Sequence, residues 1–454
     1  MLNLNSARLS LLGALIAVSA CSQNSGATPP LGTVREALAP RTLLQSKIQH
    51  VVIIVQENRS TNDLFNALPG AETVRVGKNS HGKTEALRPR SLTAPYDLSH
   101  RHAAFTISYA GGQMNGWNLI ITSCNKSAKC PRPGIRAFGY VPEGEVEPYY
   151  TMAKRYAFAS HMFQTNQGPS FPAHQYLLSG TSTISDGSSL RAAENPLTLQ
   201  NKHTGGCDSP LGSYVSLIDP YGNESQTAFP CFNRRSLLDL TEGTPVTWHY
   251  YQATRGPGLW NGVDALEQIW SSPQFSTNVT RPPTKILDDI DAGKLANLVW
   301  VIPTVKASDH AGWTDGTGPS WVATVVNKIG LSQYWNNTAI FVVWDDWGGW
   351  YDPMSPPQYN SYELGFRVPL IVISPYARRH YISTQQHEFG SILKFAEETF
   401  GLPSLGTTDV RSDDLSDCFN FRRGPRKFVP IAAPLHADYF LRQPASTADP
   451  DDDF

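Results

Sequence analysis

His50-Val51-Val52-Ile53-Ile54-Val55 is a run of β-branched residues with no polar break after its first position. Three other runs share its character: Leu298-Val299-Trp300-Val301-Ile302, Ala339-Ile340-Phe341-Val342-Val343-Trp344 and Val368-Pro369-Leu370-Ile371-Val372-Ile373. Runs this short that are apolar throughout, not alternating, fit parallel strands covered on both faces. Helical spacing of apolar residues appears between or after them, from Ile286 to Leu298, from Trp321 to Ile329 and from Phe389 to Glu398. The alternation predicts an α/β sandwich with a largely parallel central sheet. In such sheets ligands bind beyond the carboxyl ends of the strands.

The polar residues collect at those ends. The first strand runs into Gln56-Glu57-Asn58-Arg59-Ser60, and the third into Trp344-Asp345-Asp346-Trp347-Gly348-Gly349-Trp350. The second continues through Pro303 to Ser308-Asp309-His310. Carboxylate and amide oxygens suit a hard divalent cation, and imidazole can ligate a metal or bind phosphate oxygens. Asp345 and Asp346 would point to opposite faces of a continuing strand. Both reach one site only if the strand has ended and the backbone turns, which Gly348 and Gly349 make easy; otherwise one aspartate caps the following segment. Farther along, Gln167-Gly168-Pro169-Ser170-Phe171-Pro172-Ala173-His174 frames a hydroxyl in a stiff turn. A serine hydroxyl needs a base or a metal to become a nucleophile, and a Ser beside Pro is also ordinary turn chemistry.

Of the 454 residues, 40 % are apolar and 17 % charged, enough for a large core and unlike a disordered or low-complexity chain. The formal net charge of −2 leaves no basic excess to pair with phosphates, so no nucleic-acid partner is expected.

Arg8 precedes an apolar run from Leu9 to Ala20. It is too short to span a bilayer and reads as the core of a secretory signal. The run ends Val18-Ser19-Ala20-Cys21, which resembles a bacterial lipobox in which Cys21 becomes the acylated first residue; a plain signal peptide cleaved nearby is the alternative. The expected organisation is a signal peptide over 1–20, a lipid-anchored tether over 21–46, the main domain over 47–440 and an acidic flexible tail over 441–454. The product would be exported, as a periplasmic or outer-membrane lipoprotein whose membrane partner is reached through the anchor. Export permits disulfides. The spacing pairs Cys124 with Cys130 and Cys207 with Cys231 and leaves Cys418 free; no CxxC pair is present.

Five segments resemble, in order, those of the bacterial phosphoesterase family that contains non-specific phospholipases C and an acid phosphatase. They are Glu57 to Ser60 (ENRS), His100 to Gly116 (HxH and GGxMxG), Gly168 to Pro172 (GPSxP), Ser308 to His310 (SDH) and Trp344 to Asp352 (WDDWGGWYD). The resemblance implies an alkaline-phosphatase-like three-layer α/β/α core and a serine nucleophile that forms a covalent phospho-enzyme beside one divalent metal ion. Carried over, it makes Ser170 the nucleophile and Glu57, Asn58, Asp345 and Asp346 the metal ligands, with Ser170 completing the shell. His310 resembles a histidine that contacts phosphate or assists proton transfer, and His100 or His102 a second one. His249 matches a third, or is a histidine packed among aromatics. The sequence departs from the family pattern at Thr61, Asn62, Gln113, Asn115 and Pro353, which bears on substrate contacts more than on nucleophile or ligands.

The function so implied is metal-assisted hydrolysis of phosphoric esters through a phosphoserine, of acid phosphatase or phospholipase C type, on a small phosphoester or a phospholipid. A phospholipase C restricted to phospholipid headgroups is one alternative, for which aromatics such as Trp117 would touch a membrane if they are not core. A non-catalytic lipid-anchored binding protein on the same fold is the other. The joint presence of Glu57, Asn58, Ser170, Asp345 and Asp346 argues against the latter.

Overall fold

The computed structural model describes residues 42–445 apart from 255 and 257. The signal, the lipobox, most of the tether and the end of the acidic tail lie outside the described residues. Helix α1 (Leu43–Lys47), closed at its start by a Thr42–Gln45 capping box, straddles the boundary expected at residue 46.

Each of the four apolar runs forms a strand, and all four strands are buried along their whole length. In chain order the eight strands of the main sheet are β1 (His50–Gln56), β2 (Ala157–Ala159), β3 (Trp248–Tyr251), β4 (Val279–Thr280), β5 (Leu298–Val301), β6 (Thr338–Trp344), β7 (Leu370–Ile373) and β8 (Tyr381–Ser383). Their spatial order is β4-β3-β5-β1-β6-β7-β2-β8. The larger helices are α2 (His102–Tyr109), α3 (Glu147–Arg155), α4 (Ser170–Ser179), α5 (Lys285–Asp291), α6 (Gly318–Gly330) and α7 (Phe389–Phe400).

The register shows that the helices cover both faces. Trp300 and Phe341 both pair with Ile53, so the three side chains share a face. On that face the Trp300 indole donates to Leu177 O of α4, and Phe341 meets Phe395 of α7 edge-on. Trp344 pairs with Gln56, on the opposite face, and packs against Tyr149 of α3. The result is the three-layer α/β/α arrangement with a largely parallel sheet.

One strand departs from expectation. β7 runs antiparallel to both β6 and β2, while every other neighbouring pair in the sheet is parallel. Residues 345–369 contain no helix, and parallel neighbours are usually joined through a crossover helix, whereas a strand that returns without one commonly pairs in the opposite sense. The strand also begins at Leu370, not Val368, because Pro369 has no N–H to give a ladder. The helical pattern expected from Ile286 to Leu298 likewise closes early, at Asp291, and the chain then loops into β5.

Between α4 and β3 a small sheet of Arg191–Ala192, Val215–Ile218 and Gln226–Ala228 stands beside the main one. Both disulfides form as expected, Cys124–Cys130 and Cys207–Cys231, and Cys418 is free and buried. Among the described residues no helix is long and apolar enough to cross a membrane.

Candidate active site

The parallel register of β1 and β6 builds the site. Gln56 pairs with Trp344 at the strand ends, so Glu57 and Asp345 leave the sheet side by side. The turn that follows needs glycine. Gly348 has φ +58°, and a Cβ there would lie 2.0 Å from Asn58 O; Gly349 has φ +73°, with Leu98 Cβ 2.3 Å from where its own would be. Because β6 has ended, both aspartates face one place, as expected. Asp345 Oδ1 accepts from Asn58 N at 3.0 Å, and Asp346 Oδ1 accepts from Gly348 N at 2.7 Å. Asn58 itself is held at φ +61°, a conformation Asn tolerates better than most residues and one that recurs at functional sites.

Ser170 is the first residue of α4, where the backbone N–H groups of a helix are unpaired by the helix itself and favour negative charge. Its Oγ donates to Asp346 Oδ2 at 3.0 Å. The turn before it is pinned by Gln164 Nε2 and Asn166 Nδ2, which both donate to Gly168 O at 2.6 and 3.0 Å. One helical turn on, His174 Nε2 lies 3.1 Å from Glu57 Oε1 and 3.9 Å from Asp345 Oδ2. Glu57, His174 and Asp345 offer ligand atoms all within 4.8 Å of one another, and all three residues are buried.

His174 is the residue that the sequence reading missed. The signal was present: positions i and i+4 share a helix face, so once Ser170 opens a helix, His174 must accompany it into the site.

Two histidines approach from the other side. His100 Nδ1 is 2.8 Å from Leu98 O and so carries the hydrogen; Nε2 then accepts from Asn58 Nδ2 at 2.9 Å and lies 3.8 Å from Asp346 Oδ2. The His310 ring stands 6.0 Å from that of His100, centre to centre, and its Nδ1 is turned to Ala311 O at 2.8 Å. Between the two candidates of the HxH segment, His100 is therefore in the cluster. His102 sits at its margin, with Nε2 3.3 Å from Gln167 Oε1 and Nδ1 2.5 Å from Glu224 Oε1 of the small-sheet region.

His249 is not brought to the cluster. It lies two residues before the end of β3, bonds Thr280 Oγ1 at 2.7 Å and stacks on Tyr251; burial lowers its pKa. It is the histidine packed among aromatics. Trp117 is likewise core and not a membrane contact: it is 1 % exposed and packs on Trp347, Tyr351 and Phe366.

A buried frame holds these groups. Arg59 pairs with Asp63 at 3.2 Å, donates to Asp309 O and Leu92 O, and lies over the Trp350 ring. Burial raises Asp63 to about 6 against the pull of Arg59. Asp309, at φ +72°, accepts from Tyr149 O–H at 2.7 Å, and burial pushes it up to about 7 despite that bond and Arg59.

Clustered buried carboxylates, imidazoles at two sides and a hydroxyl at a helix start suit the hydrolysis of phosphoric esters. The chain belongs to the Phosphoesterase family, whose pattern matches residues 48–403. It is 26 % identical to phospholipase C A of Mycobacterium tuberculosis, over 86 % of this chain and 80 % of that one. It is 23 % identical to the hemolytic phospholipase C of Pseudomonas aeruginosa, over 86 % of this chain and 59 % of that one. Among solved structures, a Vibrio parahaemolyticus protein in the alkaline phosphatase superfamily aligns over 82 % of this chain and 70 % of that one, with TM-score 0.34 and 12 % identity.

Proposed function

We propose that the chain cleaves phosphoric esters of the phospholipase C type through a phosphoserine at Ser170. The observation that carries this reading is the Ser170 hydroxyl, which is buried, placed at a helix start and donates to Asp346 at 3.0 Å, beside the Glu57–His174–Asp345 group.

The residues present fit a divalent cation. Asp345 Oδ2 and Asn58 Oδ1 are buried without a hydrogen-bond donor, and neighbouring buried carboxylates repel one another unless a positive charge or a proton separates them. Glu57, His174 and Asp345 would hold the cation, with Asp346, Asn58 and Ser170 at its edge. When bound it supplies positive charge against the phosphoryl oxygens and favours the ionised serine.

The chain's own residues do the rest. Ser170 Oγ attacks phosphorus while Asp346 Oδ2 receives its proton. The bond from phosphorus to the leaving alcohol breaks, and His310 Nε2 gives that oxygen a proton. His310 then takes a proton from water, whose oxygen attacks the phosphoserine; the Ser170–phosphorus bond breaks, and Asp346 returns the serine's proton. His100 accepts from Asn58 Nδ2 and so fixes the orientation of that amide beside the reacting phosphoryl group. The relatives named as phospholipases C support a phospholipid as substrate, and a lipid anchor at Cys21 would keep an exported chain beside it.

The test is rapid quenching during turnover of phosphatidylcholine vesicles and, separately, of a chromogenic phosphomonoester. The phosphorylated peptide should contain Ser170, and Ser170→Ala should lose about 10⁴-fold or more in kcat with unchanged circular dichroism. Near-normal turnover by that variant overturns the mechanism. Turnover of the monoester alone assigns the same chemistry to a phosphatase.

A further inference from the structure

Beyond the last strand of the main sheet lies a second group of side chains able to offer metal ligands, which phosphoester cleavage does not use. β8 ends at Ser383, His387 stands just before α7, and Asp413, Asp417 and Cys418 follow in the loop after α7. His387, Asp417 and Cys418 offer ligand atoms all within 4.8 Å of one another. His387 Nε2 is 3.9 Å from Asp417 Oδ1, and that oxygen is buried with no hydrogen-bond donor.

The imidazole is oriented from behind. His387 Nδ1 lies 2.7 Å from Asp413 Oδ1, which also accepts from Ser391 Oγ, while Asp413 Oδ2 accepts from Leu415 N. An ionised carboxylate only accepts, so Nδ1 carries the hydrogen and the lone pair of Nε2 faces the cluster. Outer carboxylates impose this arrangement on metal-binding histidines.

Ser383 Oγ stands 2.8 Å from Nε2 and 2.5 Å from Asp417 Oδ2. Asp417 Oδ2 also accepts from the Tyr381 hydroxyl at 3.1 Å, and while Ser383 donates to Asp417 its hydrogen does not serve His387 Nε2.

We propose that His387, Asp417 and Cys418 form a zinc site that fastens the loop after α7 to β8 and the start of that helix. One imidazole nitrogen, one carboxylate oxygen and one thiolate are a ligand set suited to Zn²⁺. On binding, the Cys418 thiol loses its proton to solvent, and thiolate and carboxylate together balance the charge of the ion. The side chains of Asp417 and Asp413 are 23 % and 30 % exposed, so this edge admits the ion and a water as fourth ligand. The sequence hides the site because its ligands are scattered and lack the paired-cysteine spacing of common zinc motifs.

The probe is Co²⁺, added to full-length protein freed of metal by a chelator. A thiolate-to-cobalt charge-transfer band should appear in the near ultraviolet and be bleached by Zn²⁺. The Glu57–His174–Asp345 group contains no sulfur, so the band should survive in Asp345→Asn and vanish in Cys418→Ser. Asp417→Asn, at a partly exposed position, should weaken Co²⁺ binding, read by the same band, at least tenfold. Wild-type protein without the band at saturating Co²⁺, a band that persists in Cys418→Ser, or unchanged affinity in Asp417→Asn each overturns the assignment.

Discussion

One helical turn separates Ser170 from His174, and that turn joins nucleophile and candidate ligand into one rigid unit. The spacing gives His174 a role that no isolated histidine motif announces, and it predicts a contrast between two histidines. His174→Ala should lower kcat/KM at least about 100-fold, with part of the loss recovered at high divalent-ion concentration, as when a metal-binding constellation is weakened. His249→Ala should stay within about twofold of wild type, because its ring meets Thr280 and Tyr251 instead. Steady-state kinetics across a range of cation concentrations checks both, and equal effects would put the boundary of the site in the wrong place. At this scale the sequence was legible where residues stand next to a strand end: that Glu57, Asn58, Asp345 and Asp346 lie together could be read from their position, whereas His310 comes nine residues after β5. Choosing His100 over His102 was not possible in that way, since the two differ only in which one meets Asn58 and which one meets Glu224.

Among the elements, the long apolar runs were readable because a strand buried on both faces has no polar positions to interrupt it. Four strands were not: β2, β4 and β8 are only two or three residues long, too short for any period to show, and β3 is a four-residue strand of Trp, His and Tyr with no aliphatic run. The direction of β7 was hidden for a different reason. An apolar run carries no sense of direction, and the missing crossover helix between β6 and β7 was the relevant signal. The turn between those strands is the element on which the site depends most. Gly348→Ala would place a methyl against Asn58 O, in a backbone conformation that L-residues disfavour. Strain of about 1–3 kcal/mol is expected from the conformation alone, and the clash must move Asn58 as well. We therefore expect a lower midpoint in urea unfolding together with a loss of kcat/KM larger than the stability change explains. Full activity in a destabilised Gly348→Ala would show that Asn58 need not be held where it is.

For the whole molecule, the buried acids set how stability responds to pH. Burial raises Asp63 to about 6, Asp309 to about 7 and Glu397 to about 8. A carboxyl whose folded-state pKa lies above its unfolded value binds its proton more tightly in the fold. Its stabilisation is complete below the unfolded pKa and is lost as pH rises through the folded one. Glu397 is the cleanest case, since it belongs to α7 and to neither proposed metal site. Its Oε1 accepts from Leu405 N at 3.0 Å, with Asp409 and Glu398 adding repulsion to the burial. Between its ordinary value of 4.5 and about 8, this one group should lower stability progressively as pH rises. Glu397→Gln keeps an oxygen for Leu405 N and removes the titration. The variant should match wild type near pH 4.5 and become progressively the more stable of the two towards pH 8, after which the gap stops growing. Urea unfolding of both proteins at closely spaced pH values measures this directly. Parallel curves would mean that Glu397 ionises in the fold as easily as in the unfolded chain, and that the end of α7 admits water to it.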